Sequence, residues 1–395
     1  MPGIVLHALE GTDPPIVARL SGHAGVLREA ARGLPDGAAT PEAVAARVKR
    51  GGVAVAWGDP EPALAPRAFL RFCRARGTSS VELVRADPRL LSDLELGSFF
   101  DLPFKRRIAR RVLLRLGGRT TLSSPLAASV AFWSGVRSAA TPAEWQRFTR
   151  NSYVVLYYHR IAARKPGQDR LNVAPDVFER HMRWIRRLKL RPLTLDDVIR
   201  FHTEPDATLP RRAVVLCADD AFRDAVLALG RHGDLRPIVF VTTAEVGGKA
   251  SWEWADGEPI ASWSELEEFA AVGGTIASHA RTHIPLPELD RESLRSELNE
   301  SLQELRTHLP TTAAALAYPH GEYDGGVRAA VAAVGYGAAF TTRAGRNGAG
   351  TDRYQLRRVG PKDWDGAAAF LWKALTGESV PWAIERWRLR VRRLR

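Results

Sequence analysis

The feature that most limits what this sequence can fold into is a series of short segments of strand length, most of them apolar. They are Tyr153–Tyr158, Ala213–Ala218, Pro237–Thr242, Gly274–Ala277, Ala313–Tyr318, Gly337–Thr341 and Leu356–Val359. Amphipathic stretches lie between them, and the clearest helices are predicted at Pro175–Leu190 and Ser293–Leu309. Apolar strands alternating with helices are typical of a parallel sheet covered on both faces. We therefore predict an α/β fold, specifically an irregular (β/α) barrel with fewer than eight strands.

The first 150 residues lie before this series of strands. A chain of 395 residues is also longer than one ordinary core accommodates, so a second domain is expected. We predict a smaller α/β domain there, built on a strand–helix–strand unit. Its strands are placed at Val53–Trp57 and Val81–Val84, and its helix at Ala65–Arg76, ending at Gly77. No motif assigns this domain a role.

Two further segments complete the predicted organisation. Residues 151–362 form the domain with the strand series, and residues 363–395 form a basic amphipathic helical tail. In this tail an apolar stripe runs between arginines, as in a helix that lies on a membrane surface, although a helix docked on its own protein would look the same. The stripe consists of Ile384, Trp387, Val391 and Leu394.

The net charge of +13 has two interpretations. One is diffuse arginine enrichment that aids solubility, and the other is contact with an anionic surface. The basic segment Lys105–Arg119 and the tail favour the second, so we expect peripheral contact with an anionic membrane through the tail. Nucleic acid is not the expected partner, because no binding motif accompanies the charge.

Cellular location is predicted from what the sequence contains near its start and from its cysteines. Met1–Ala30 includes acidic residues and prolines where a secretory signal needs an apolar run. Cys73 and Cys217 are far apart, which suits a reducing compartment. We expect a cytoplasmic protein, at most peripheral on the inner face of the membrane.

Two adjacent carboxylates, Asp219 and Asp220, follow the apolar segment Ala213–Ala218. A turn or helix N-cap would explain one aspartate better than two, and burying an unpaired charge is costly. Neighbouring strand residues point to opposite sides. The two carboxylates can therefore serve one site in different roles only if the chain bends there. We interpret the pair as catalytic.

Two histidines, His279 and His283, follow the apolar segment Gly274–Ala277. Imidazoles four residues apart can share a helical face and bind one metal ion. One carboxylate and two imidazoles leave coordination positions open, as hydrolysis at a metal requires. A third segment, Ala317–Gly321, also follows a predicted strand and would line the pocket.

In this order and spacing the segments resemble the polysaccharide deacetylase family, the NodB-homology domain of carbohydrate esterase family four. Its Thr-Phe-Asp-Asp-Gly motif is matched by Cys217–Ala221, and its His-Ser/Thr-x-x-His motif by His279–His283. Ala317–Gly321 is similar to the Tyr-Pro-Tyr-Gly form of the third motif. The branch with that form opens with a strand ending Tyr-His-Arg, as in Tyr158–Arg160, and Leu356–Val359 resembles the last strand of the family.

The resemblance implies a role for each matched residue. Asp220, His279 and His283 would hold a divalent metal, with zinc the expected ion, and Asp219 would be the general base. His159 would be the general acid, with His320 in reserve, because no histidine follows His320.

The substrate would lie against the third motif. Tyr318, Pro319 and His320 are predicted to line its site, and a backbone amide near Tyr318 to stabilise the oxyanion. Trp252, Trp254 and Trp263 lie in and beside a loop before His279. An aromatic platform for a sugar is predicted among them, at Trp263, although packing of the loop would explain these residues equally well.

The chain departs from the family pattern at three positions. Alanines at 218 and 221 replace phenylalanine and glycine, and no arginine at 317 orients Asp219, so that Arg223, Arg357 or Arg358 would have to substitute. The resemblance implies removal of N-acetyl, in preference to O-acetyl, groups from an amino-sugar glycan or glycolipid intermediate. The alternative is an inactive deacetylase fold that serves as a carbohydrate-binding or membrane-surface scaffold.

Overall fold

The protein is represented by a computed structural model. It describes residues 4–8, 16–19, 55–57, 66–92, 94–102, 104–115, 125–163, 171–204, 206–252, 255, 257–309 and 314–380. The chain divides into two compact units. The first comprises Met1–Arg150 with Gly348–Gly350, and the second comprises Asn151–Asn347 with Thr351–Arg395.

The described part of the first unit contains a three-stranded sheet and a group of helices. Its strands are β1 (Ile4–Ala8), β2 (Ile16–Arg19) and β3 (Val55–Trp57), with β1 antiparallel to β2 and parallel to β3. The strand predicted at Val53–Trp57 is therefore confirmed. The helices are α1 (Pro66–Ala86), α2 (Phe104–Arg115), α3 (Pro125–Ala139) and α4 (Pro142–Thr149).

The predicted ending of α1 at Gly77 is wrong, and so is the strand at Val81–Val84. The helix continues to Ala86, and Val81 and Val84 are buried on the same side of it as Cys73. Gly77 lies inside the helix because α1 and α3 approach closely there. A Cβ at Gly77 would lie 2.0 Å from the Phe132 carbonyl oxygen, and one at Gly135 would lie 1.9 Å from that of Arg74. The glycine permits backbone contact and does not end the helix.

The second unit is built on a sheet with eight strands in its described part. They are β4 (Ser152–Tyr158), β5 (Arg191–Pro192), β6 (Ala213–Ala218), β7 (Ile238–Val241), β8 (Thr275–Ser278), β9 (Ala315–Ala317), β10 (Ala338–Phe340) and β11 (Asn347–Gly348). The order is β10-β9-β8-β7-β6-β4-β11, with β5 also on β6. The pairs among β4, β6, β7, β8, β9 and β10 are all parallel.

The sheet curls until its two sides are joined by the last predicted strand, Leu356–Val359. Leu356 makes a parallel bridge to Phe340 of β10, and Val359 makes one to Leu156 of β4. Backbone hydrogen bonds from Thr341 N to Leu356 O and from Val359 N to Val155 O accompany the bridges. The prediction of an irregular (β/α) barrel is confirmed. The expected number of strands, fewer than eight, is wrong, because the two-residue strands β5 and β11 bring the described sheet to eight.

Helices cover the outside of this sheet and bury one face each. They are α5 (Pro175–Arg187), α6 (Leu195–Thr203), α7 (Arg223–Gly230), α8 (Trp263–Ala271), α9 (Arg291–His308), α10 (Gly325–Val334) and α11 (Ala367–Thr376). The helices predicted at Pro175–Leu190 and Ser293–Leu309 correspond to α5 and α9. Asp290 caps α9, because its side chain accepts a hydrogen bond from Ser293 N.

Part of the predicted tail lies in the second unit. Helix α11 buries Phe370 and Ala374 in the core, and its Lys373 forms a buried ion pair with Asp365. The apolar stripe at 384–394 lies outside the described residues. None of the helices in the described ranges is long and apolar enough to cross a bilayer.

Candidate metal centre

The site lies where neighbouring parallel strands end. Tyr158 of β4 pairs with Ala218 of β6, so the residues that follow them, His159 and Asp219, are neighbours. Strand β8 ends at Ser278, directly before His279. Parallel strands present their carboxyl ends at one edge of the sheet, and this edge therefore collects the predicted catalytic and metal-binding residues.

Three buried side chains converge on one point. The Nε2 atoms of His279 and His283 lie 3.2 and 3.3 Å from the same Asp220 oxygen, Oδ1. One ligand atom from each residue falls within 4.8 Å of the other two. The structure thus brings together the three residues that the sequence predicted as metal ligands.

The hydrogen bonds around the cluster show that it suits a cation. Nδ1–H of His279 donates to the Ala317 carbonyl oxygen at 2.7 Å, which leaves the lone pair of a neutral imidazole on Nε2. That lone pair faces the carboxylate of Asp220, whose two buried oxygens accept no hydrogen bond from the described residues. Lone pairs that face one another are stabilised by a positive ion between them.

The pKa values agree with this preference for positive charge. Burial lowers the pKa of His279, but Asp220 and Asp219 raise it more, so that its pKa lies above the ordinary value. Burial raises the pKa of Asp220, but the two imidazoles lower it more, and the carboxyl is held ionised. A carboxylate and two imidazole nitrogens are a donor set that fits zinc.

Asp219 has a different partner. Arg358 donates from both terminal nitrogens to the Asp219 carboxylate at 2.6 and 2.9 Å, and both side chains are almost completely buried. Burial raises the pKa of Asp219, but Arg358, together with His279 and His159, lowers it more, so the pKa lies below the ordinary value. Of the three arginines considered from the sequence, Arg358 takes the place of the missing motif arginine.

A bend after β6 lets the two adjacent aspartates face different partners. Asp220 and Ala221 have left-handed backbone conformations, with φ of 71° and 57°. Ala221 occupies the position of the motif glycine and keeps the conformation that glycine adopts freely, at a cost of roughly 1–2 kcal/mol for a residue with a Cβ.

The segment that carries both histidines is held by Glu297 of α9, a residue that the sequence analysis did not identify. Its carboxylate accepts hydrogen bonds from Arg281 N at 2.8 Å, Thr282 N at 2.6 Å and the Thr282 hydroxyl at 3.0 Å. His283 itself has a φ of 63°. The segment is therefore a fixed loop rather than the helical turn that the four-residue spacing suggested.

Both candidate acids lie beside the cluster. His159 Nε2 is 3.9 Å from Asp219 Oδ2, and the side chain of His159 is 15% exposed, so that it can be reached from solvent. The ring centroid of His320 is 4.6 Å from that of His283. Burial lowers the pKa of both histidines.

The predicted substrate contacts of Tyr318 are not supported. Its side chain is fully buried, and its hydroxyl donates to the Tyr354 carbonyl oxygen at 3.0 Å. Its amide N–H, the suggested oxyanion donor, already donates to the Phe340 carbonyl oxygen. Pro319 is buried as well. Both residues support the site from within, because the end of β9 is packed inside the core.

Tryptophan placement also differs from the sequence analysis. Trp263 stacks on His308, with ring centroids 4.0 Å apart. Instead the indole of Trp252 lies against His283, at 4.4 Å between ring centroids. No signal in the sequence distinguished these two, because both lie in the segment that connects β7 to β8.

The loop that carries Trp252 is tied to the strand of His159. Arg160 forms ion pairs of 2.7 Å with both Asp224 and Glu258. Lys249 and Pro259 form an antiparallel bridge at the base of the loop. Beyond its place in the Tyr-His-Arg pattern, no sequence signal singled out Arg160.

Comparison with known proteins relates this arrangement to a family. Residues 206–339 match the model of the polysaccharide deacetylase family. Over this range the chain is similar to polysaccharide deacetylases. Polysaccharide deacetylases are generally metal dependent, and the Asp220, His279 and His283 cluster is where this chain could hold an ion.

Individual relatives are distant. The Bacillus subtilis protein YxkH, itself a candidate polysaccharide deacetylase, is 26% identical over 211 residues, which cover 52% of this chain and 70% of the relative. Among solved structures, the chain is similar to the Streptococcus pyogenes deacetylase PplD in complex with acetate, with 21% identity and a TM-score of 0.48 over 55% of this chain and 95% of that one. It is also similar to IcaB from Ammonifex degensii, with 21% identity and a TM-score of 0.49 over 58% and 98% of the two chains.

Removal of one imidazole tests the metal centre. We expect His279→Ala to weaken zinc binding at least ~100-fold, because it removes one of three ligands. Calorimetric titration of the purified protein with Zn²⁺ measures the change. The control is His308→Ala, which removes an exposed imidazole elsewhere in the same unit. Equal zinc binding by the two variants would rule out this cluster as the site.

Proposed function

We propose that this protein hydrolyses the N-acetyl group of an amino sugar in a glycan or glycolipid intermediate, with a divalent metal, expected to be zinc, as cofactor. The observation that carries the proposal is a buried Asp-His-His cluster next to an ionised aspartate, in a chain that is similar to polysaccharide deacetylases. The family supplies the class of reaction, and the geometry supplies a role for each residue.

Asp220, His279 and His283 would hold the ion. When bound, the ion supplies a Lewis acid that polarises the acetyl carbonyl and acidifies a water molecule. The protein contributes three buried side chains whose positions are fixed. His279 is oriented by the Ala317 carbonyl, and the loop of His283 is oriented by Glu297.

Asp219 would act as the general base. It is ionised, and Arg358 occupies its carboxylate from one side only, so that lone pairs remain for a water proton. Arg358 also donates to the Thr341 carbonyl oxygen at 2.9 Å, which fixes the guanidinium in place. The base is therefore held in position and kept deprotonated by the same side chain.

His159 would deliver a proton to the leaving amine. Burial lowers its pKa, so the imidazole is neutral near neutral pH and needs a proton before it can act as an acid. Asp219 lies 3.9 Å away and would hold the proton taken from water. Transfer from Asp219 to His159, and then to the amine, balances the reaction without a further acid.

Trp252 would form one wall of the sugar site. Its indole covers His283, and its Nε1–H is buried without an acceptor among the described residues. An aromatic face with one unpaired donor suits a pyranose ring, which offers C–H groups on its face and hydroxyl acceptors at its edge. Trp263, stacked on His308, would then have a packing role.

Acetate release tests the function itself. We expect the zinc-loaded protein to release acetate from N-acetylglucosamine oligomers, and Asp219→Asn to lower kcat at least ~100-fold while zinc stays bound, because the base is lost and the ligands are not. Asp220→Asn is the matched comparison and should lose zinc. Stoichiometric zinc without acetate release from N-acetylated or O-acetylated sugars would favour the inactive scaffold instead.

The pH profile tests the role of Arg358. Asp219 must be ionised to accept a proton, so activity falls as the pH drops through its pKa. In Arg358→Lys the two-pronged contact is lost, the pKa of Asp219 rises, and the acid limb of kcat/KM should move upward by about one pH unit. Arg357→Lys, on the next residue and the opposite side of the segment, should leave the limb in place. An unmoved limb in Arg358→Lys would show that Asp219 is not the titrating group.

Paired tryptophan variants test the sugar wall. We expect Trp252→Ala to raise KM for N-acetylglucosamine oligomers by about tenfold, because the stacking surface is lost, with kcat changed much less. Zinc affinity should stay the same. Trp263→Ala should leave KM unchanged. A fall in zinc affinity in Trp252→Ala would mean that the indole supports His283 rather than the sugar.

A further inference from the structure

Helix α2 of the first unit exposes two large aliphatic side chains of the kind that a helix usually buries. Ile108 and Val112 lie one turn apart and are 43% and 46% exposed. On the opposite side, Arg107 and Arg110 are only 4% and 1% exposed. Leu114 is buried on that side as well, so the usual amphipathic pattern is inverted in part.

The buried side makes specific contacts, so the helix has a defined orientation. The guanidinium of Arg110 donates to the Phe99 carbonyl oxygen and, at 3.2 Å, to the Ser129 hydroxyl. It also lies over the rings of Phe99 and Trp133, at 4.2 and 5.2 Å from their centroids. Burial lowers the pKa of Arg110 to about 10, which leaves it charged. Rotating α2 to hide Ile108 and Val112 would break these contacts.

The exposed side is strongly cationic. Lys105, Arg106 and Arg115 are basic and exposed, whereas the guanidinium of Arg111 turns toward the unit and lies 5.4 Å from the Phe99 ring centroid. The sequence of α2, FKRRIARRVLLR, contains no acidic residue. The other large exposed hydrophobic residues of the described chain are isolated from one another in sequence, at Leu227, Val272, Ile284 and Leu375.

We propose that this face of α2 docks on an anionic phospholipid surface. Its cations match phosphate head groups in charge, and its two β-branched side chains match the acyl region just below them. The apolar pair argues against nucleic acid. A phosphate backbone is contacted by charged and polar groups, and Ile108 and Val112 would make no favourable contact with it. The inference is independent of the deacetylase reaction.

Vesicle binding tests the proposal with the full chain. We expect the protein to co-sediment with vesicles of phosphatidylglycerol and phosphatidylcholine, but not with phosphatidylcholine alone, and less so at raised salt. Ile108→Ser with Val112→Ser should weaken binding about tenfold. The matched control, Leu227→Ser with Val272→Ser, removes two side chains that are 45% and 54% exposed elsewhere and should bind as the wild type does.

A second pair of variants separates the charge of α2 from the charge of the whole chain. Lys105→Gln with Arg106→Gln should weaken vesicle binding about tenfold or more. Arg183→Gln with Arg187→Gln makes the same change in net charge on exposed residues of α5 and should have a much smaller effect. Circular dichroism confirms that each variant folds.

Three outcomes would overturn the proposal. Equal losses in the two charge pairs would mean nonspecific attraction. Unchanged binding in both α2 variants would place the contact elsewhere on the chain. Binding to a DNA duplex but not to anionic vesicles, lost in Lys105→Gln with Arg106→Gln, would assign the surface to nucleic acid.

Discussion

The buried pair between Arg358 and Asp219 is the interaction on which the catalytic edge of the second unit depends. Arg358 lies on the segment that joins β10 to β4, and Asp219 directly follows β6, so the pair spans the inside of the curled sheet. The rings of Tyr157 and Phe240 lie 4.6 and 5.7 Å from the guanidinium carbon. Removing one partner of such a pair leaves an uncompensated charge and costs roughly 3–5 kcal/mol. Arg358 therefore connects the segment that closes the sheet to the proposed base and helps to keep that base ionised.

Two adjacent acids acquire different properties because their surroundings differ. Asp219 is neutralised by a cation that belongs to the protein, whereas Asp220 faces two imidazoles that can be neutral. Asp219 therefore has its countercharge and still has lone pairs that can accept a proton. Asp220 with the two imidazoles lacks a countercharge and favours an added cation. The left-handed bend after β6 makes this division possible, since it turns Asp220 away from the direction that strand alternation would give it.

Local sequence patterns predicted the barrel and a site made of one carboxylate and two imidazoles, because strands and the residues at their ends are close together in the chain. The resemblance to the deacetylase motifs then selected Asp220 over Asp219 as the ligand. Arg358 could be named only as one of three candidates, because 139 residues separate it from Asp219 and no local pattern reports that distance. For the same reason the contact of Glu297 with the histidine loop was not predicted, and Trp252 could not be distinguished from Trp263. The errors at Gly77 and Tyr318 have another cause: whether a glycine ends a helix or admits a neighbour, and whether a tyrosine faces a pocket or the core, depends on what packs against it.

The departures from the family motif have small structural consequences in this setting. Ala221 keeps the left-handed conformation, and its carbonyl oxygen accepts a hydrogen bond from Ala261 N at 3.0 Å, which helps to hold it there. The cost of a Cβ in that conformation, roughly 1–2 kcal/mol, is less than the cost of breaking the Arg358 pair. His283 and His320 also have positive φ, and both still lie at the cluster beside His279. Alanine in place of the glycine is thus compatible with an intact set of ligands and base, and by itself it does not favour an inactive fold.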